Sequence, residues 1–162
     1  MSVSTSSSFF KLGTHTQLDF PVQNVVIHVI SSPTEGGWEG VNSTIIELNT
    51  KLILIDLPLH YGVAKEIRSF CNASGKDIHR IVITHEHPDH FSVDFFITFK
   101  KLIQDKKITI LFQKTKDKKV VNFLKQNNFE VKELIFLKEY FLDEKFKIKC
   151  IKDNYQDSAL LI

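Results

Sequence analysis

The chain has 162 residues, 43% hydrophobic and 25% charged, which fits one soluble globular domain with a sizeable core. Its formal net charge of +2 gives no electrostatic ground for a nucleic-acid or membrane-surface partner. Two cysteines, Cys71 and Cys150, suit free thiols in a reducing compartment better than a disulfide framework, and no stretch is long and apolar enough to span a membrane.

Residues 1–8 are Ser- and Thr-rich and lack the basic and apolar regions of a secretory signal. They are expected to form a disordered lead-in to one domain over residues 9–162, and the whole chain is expected in the cytoplasm. Residues 25–30 are a β-branched run and predict a buried strand. A Pro-, Gly- and Ser-rich loop follows over 31–37. Strands are predicted over 43–48 and 52–55, joined by a tight turn at Asn49-Thr50-Lys51 as a hairpin. Asp56 ends the second of these, and a loop runs to Gly62. Val63, Ile67 and Phe70 share one face of a helix predicted over 63–71, with Gly75 as its stop. A strand over 78–84 leads directly into the most unusual stretch of the chain.

That stretch is Thr84-His85-Glu86-His87-Pro88-Asp89-His90, with three histidines and two carboxylates in six consecutive positions from His85. A core has no use for such a density of imidazole, but zinc and related ions are held by neutral imidazole and carboxylate. In extended backbone alternate side chains share a face, so His85 and His87 can converge on one ion. Pro88 turns the chain, so Asp89 and His90 can point to a second ion nearby. Beyond the cluster, Ser92 can cap a helix over 93–104. A strand is predicted over 108–112, a helix over 118–126, an interrupted strand over 129–137, and strands over 146–151 and from 158 onward. Isolated histidines are ordinarily surface or satisfied core groups, and His15, His28 and His79 are read that way. Lys114, Lys116, Lys118 and Lys119 read as a solvated face.

The pattern His-x-His-x-Asp-His at 85–90 resembles the signature of the metallo-β-lactamase superfamily. The resemblance implies an α/β fold, the αββα sandwich of that superfamily, covering its N-terminal half to two-thirds with an apparent truncation at the C-terminus. It implies that His85 and His87 bind a first metal, that Asp89 and His90 bind a second, and that Asp89 orients the attacking water. Glu86 falls at a variable position and receives no role. Asp56 corresponds to an aspartate beneath the metals, in a supporting position, and His60 is a further group within reach. The family draws more histidines from downstream, whereas this sequence has none after His90. The stretch from Thr84 to Ser92 and the tail from Asp153 are similar to the branch of CMP-sialic acid hydroxylases and sugar-phosphate lactonases. On that match Asp153 takes the place of the third histidine.

The expectation is a metal-dependent hydrolase using a metal-bound hydroxide on an ester, lactone, amide or phosphodiester of a small-molecule substrate. The expected cofactor is zinc, one or two ions, with iron or manganese as alternatives, and an oligomer is conceivable. Two other readings stand beside it: a non-catalytic metal-binding or assembly module, and an iron-dependent oxidoreductase of the same fold.

Overall fold

Strands dominate because the apolar runs of this sequence alternate between two buried faces. A computed structural model describes residues 2–4, 10–12, 14–32, 42–57, 60–85, 90–91, 96, 108–113, 118–135, 137–142, 144, 146–152 and 158–161. Eight strands form one sheet in sequence order: β1 (Ser2–Ser4), β2 (Thr14–Phe20), β3 (Val25–Ser31), β4 (Asn42–Glu47), β5 (Lys51–Ile55), β6 (Asp77–Ile83), β7 (Thr109–Gln113) and β8 (Glu130–Leu134). β1 to β5 pair antiparallel, and β5 to β8 pair parallel. The change falls where the short hairpin connection gives way to helical crossovers, which parallel neighbours require. Helix α1 (Tyr61–Ser74) joins β5 to β6, and α2 (Lys119–Gln126) joins β7 to β8. A second sheet has the order β11 (Ser158–Leu161), β10 (Lys147–Lys152), β9 (Glu139–Phe141), all antiparallel.

Period-two alternation divides the core. Leu52 and Leu54 of β5, Ile81 and Ile83 of β6, and Ile110 and Phe112 of β7 pack with Val63, Ile67 and Phe70 of α1 and Val121 and Leu124 of α2. The intervening Ile53, Ile55, Val82 and Leu111 pack instead with Tyr140 and Ile148 from the second sheet and with Leu142 just after β9. The large sheet is therefore covered by helices on one face and by strands on the other, three layers of an α/β sandwich among the described residues. No helix among them is long and apolar enough to cross a membrane.

α1 is bounded at both ends. His60 accepts a hydrogen bond from the Val63 main-chain N at its N-terminus, and Gly75 ends it in the left-handed conformation, φ 64°. Ser2–Ser4, expected as unstructured lead-in, instead pair with Asp19, Leu18 and Gln17 of β2. The unpaired edge of β2 gives these residues a hydrogen-bonding template that composition does not reveal. β2 itself was not expected, because its polar residues mask the alternation. Of the helix expected over 93–104, only Phe96 is described; it is helical and buried.

Candidate metal centre

The parallel pairing of β5 with β6 brings Asp56 beside Thr84 and His85. Ile55 pairs with Val82, and the Asp56 main-chain N donates to the Val82 carbonyl at 2.9 Å, so both strands end at the same level. The C-terminal ends of parallel strands are a common location for ligand sites. Here β5 turns sharply, with Asp56 at φ 53°. A non-glycine residue in that region is uncommon, and aspartate is among the types that tolerate it. Leu57 then donates to the carbonyl of His90 at 3.0 Å, tying the chain after β5 to the end of the histidine cluster.

The Asp56 carboxylate is buried and accepts from every side. Its Oδ1 accepts from the Thr84 main-chain N at 2.8 Å, and the Thr84 hydroxyl lies 3.0 Å from Oδ1 and 2.8 Å from Oδ2. His90 Nδ1 lies 2.8 Å from Oδ2. On its other side the Thr84 hydroxyl lies 3.1 Å from His85 Nδ1 and 3.5 Å from His90 Nδ1. The imidazoles of His85 and His90 sit close together, with ring centroids 4.0 Å apart. Asp56 thus binds groups 28 and 34 residues away, which is not the local turn-capping that an aspartate at a strand end ordinarily performs.

This donor set suits a divalent cation. Histidines that ligate metals commonly bond a carboxylate through one ring nitrogen and the ion through the other. His90 has its Nδ1 on Asp56, so ligation would fall to Nε2; His85 has its Nδ1 on Thr84 and would do the same. Among the described residues no three such side chains gather around one point. His87, Asp89 and Asp153, the other expected ligands, lie outside the described residues. His60, expected within reach of the site, has its Nδ1 on the α1 cap.

The role of Thr84 was not foreseen. Its only signal in the sequence was its place immediately before the cluster, and a hydroxyl's partners cannot be read from spacing. A second histidine pair lies elsewhere, beneath α1. Buried His15 and His28 face each other at 3.1 Å (Nε2 to Nδ1), and His28 Nε2 lies 2.9 Å from Glu47 Oε2. Lys76 donates to the same carboxylate, at Oε1, over 2.7 Å. Among the described residues the buried Nδ1 of His15 has no hydrogen-bond partner, which departs from the ordinary satisfied or surface group that an isolated histidine predicts. Burial and the neighbouring His28 lower its pKa.

Helices on one face of a mixed sheet, a second sheet on the other, and a His/Asp cluster at the strand ends define the class: the chain has the metallo-β-lactamase fold. Residues 36–93, which contain Asp56 and the whole cluster, match the family model described as the Metallo-beta-lactamase superfamily. Among solved structures the chain is similar to diflavin flavoprotein A 5 (fragment 1–254) from Nostoc sp. PCC 7120, at 14% identity and a TM-score of 0.61, covering 90% of this chain and 60% of that one. It is similar to a beta-lactamase domain protein from Burkholderia ambifaria at 9% identity and a TM-score of 0.61, covering 89% and 51%. It is also similar to the metallo-β-lactamase FIM-1 from Pseudomonas aeruginosa in its mono-zinc form, at 20% identity and a TM-score of 0.50, covering 83% and 57%. The chain therefore spans 60% or less of the length of these three structures. No match is found among curated proteins.

Proposed function

We propose that the chain is a metal-dependent hydrolase of the metallo-β-lactamase superfamily, with its metal centre at the C-terminal ends of β5 and β6. The observation that carries this reading is the Asp56 carboxylate beneath the cluster, bonded to His90 directly and to His85 through Thr84. In the proposed centre His85 and His87 would hold one ion, and Asp89 and His90 would hold a second where two are bound. Asp153 is the proposed further ligand, and Asp89 would orient the attacking water. A bound divalent ion would supply Lewis acidity and a water acidic enough to attack at neutral pH.

Zinc is the proposed ion, in keeping with the mono-zinc form of the similar FIM-1 structure. The substrate is a small molecule carrying an ester, lactone, amide or phosphodiester bond. The tail from Asp153 supports the narrower branch of hydroxylases and sugar-phosphate lactonases, by sequence resemblance. The buried, unbridged thiol of Cys71 suits the reducing cytoplasm proposed as its location.

Elemental analysis of the purified chain, beside a His85→Ala/His87→Ala variant, tests the centre. Near-stoichiometric zinc in the native chain and its loss in the variant are expected, with hydrolysis in a panel of generic esters, lactones and phosphodiesters. A native chain that stays empty after zinc is added back would overturn the proposal. Bound zinc without any hydrolysis would leave a metal-binding module. Bound iron would favour redox chemistry.

A further inference from the structure

β8 is the last strand of the large sheet, paired with β7 on one side only. An edge strand offers its outward N–H and C=O groups to another strand. Part of this edge is already taken. The hydroxyl of Tyr140, a buried residue of β9, accepts from the Ile135 main-chain N at 2.7 Å and donates to the Glu133 carbonyl at 3.3 Å. Main-chain groups alternate sides along a strand, so the odd-numbered residues of β8 are the ones facing away from β7. Val131 therefore turns both its N–H and its C=O onto the edge, ahead of that hydroxyl. The side chains are sorted by face. Val131 packs partly against the helix side of the core, and Leu134 is buried on the other side. By alternation Glu130 and Lys132 share the face of Leu134, and both are exposed. Ile135 and Leu137, directly after β8, are 53% and 67% exposed.

We propose that β8 pairs antiparallel with β8 of a second copy of this chain, about a two-fold axis at Val131. At the axis the two Val131 residues exchange both N–H···O=C bonds. The axis also sets the charges. Glu130 of each copy faces the partner's Lys132 on the same side of the joined sheet, so two opposite-charge pairs flank the axis. Opposite charges directly across an antiparallel pair are favourable, and like charges are not. An axis at Glu130, Lys132 or Glu133 would set that residue against its own copy, glutamate on glutamate or lysine on lysine. Val131 is the centre within 130–133 that opposes no like charges. The layers continue through the axis, helices beside helices and second sheet beside second sheet. Ile135 and Leu137 lie just past the paired stretch, where a second copy covers apolar surface that the single chain exposes. A lysine on an edge can instead serve to repel a neighbouring strand, and the two roles predict opposite effects of removing it. The pairing stands apart from the metal-centre reading.

Sedimentation velocity of the native chain across a concentration series reads the pairing. A dimer that grows with concentration and weakens with added salt is expected. Lys132→Glu opposes glutamate to glutamate on both sides of the axis, and Glu130→Lys opposes lysine to lysine, so each variant alone is expected to be monomeric. Their equimolar mixture restores both opposite-charge pairs in the mixed dimer and is expected to dimerise again. That recovery also shows that neither substitution unfolds the chain. Should either variant fail to fold, Lys132→Ala decides. It is expected to weaken the dimer, whereas stronger association would make Lys132 the guard of a free edge and overturn the proposal. A native chain that is monomeric at every concentration would overturn it too, as would single variants that still dimerise or a mixture that stays monomeric.

Discussion

Asp56 and Thr84, 28 residues apart, are joined by both the main-chain N–H and the hydroxyl of the threonine, with donor–acceptor distances of 2.8 to 3.0 Å. This contact locks the ends of β5 and β6 together at the point where the cluster begins. Asp56→Asn keeps the shape but replaces one acceptor oxygen with a donor. That amide must then face the Thr84 main-chain N–H, the Thr84 hydroxyl or the His90 ring N–H. A buried donor left without its acceptor costs about 1–3 kcal/mol. Denaturant unfolding of Asp56→Asn should show a loss of that size, and zinc affinity should fall about 10- to 100-fold. Native stability in this variant would mean that the carboxylate is not the keystone of the array.

Zinc should stabilise the native chain, because a preformed site binds the folded state alone. At a free concentration one hundred times its Kd, a single bound ion adds about 2.7 kcal/mol. Thermal unfolding should therefore move upward with added zinc and move back with a chelator. His85→Ala/His87→Ala should unfold at one temperature whatever the zinc concentration. A zinc-dependent rise in the double variant would place the ion elsewhere in the chain.

The strands nearest the site were the most legible part of the fold. Ile53-Leu54-Ile55 and Ile81-Val82-Ile83 are apolar at every position because helices cover one face and a second sheet the other. β2 was missed for the opposite reason. Thr14–Phe20 mixes His15, Gln17 and Asp19 with Thr16, Leu18 and Phe20, and most of its residues are only half-buried, so its alternation is quiet. Asp56 was placed near the cluster by family resemblance, and the parallel β5–β6 pairing brings it there. The contacts of Thr84 with Asp56 and His85, and that between His15 and His28, depend on which side chains meet in the folded chain. Those contacts are set by tertiary packing, and one sequence carries no mark of them.

Gly75 tests whether backbone conformation alone terminates α1. Its φ of 64° is left-handed, and a Cβ built there meets nothing within 4 Å. Steric room is therefore not in question. Alanine favours helix interiors, yet at this position it must adopt a conformation that costs about 1–2 kcal/mol. Gly75→Ala should destabilise the chain by about 1 kcal/mol. Gly75→Asn, a residue tolerated at such helix ends, should cost less. Equal losses in the two variants, measured by chemical denaturation, would contradict this account.

The His15–His28–Glu47–Lys76 chain makes stability fall on acidification, in two windows. Burial, with the nearby His28, holds the His15 pKa below 6.5 in the folded state. The unfolded chain therefore takes up that proton first, and stability declines as the pH drops below 6.5. At Glu47 burial pushes the pKa upward, but the bonds and charges of Lys76 and His28 outweigh it, and the result lies below 4.5. That contribution is whole above 4.5 and is lost as the pH falls further. Unfolding free energies across the acid range should thus decline from near-neutral pH downward. His15→Phe, which can pack against Phe10 as the tilted His15 ring does at a centroid distance of 4.7 Å, should flatten the upper window while leaving the lower one. Glu47→Gln should flatten the lower window. An unchanged pH profile in both variants would show that this buried chain does not govern the acid sensitivity of the fold.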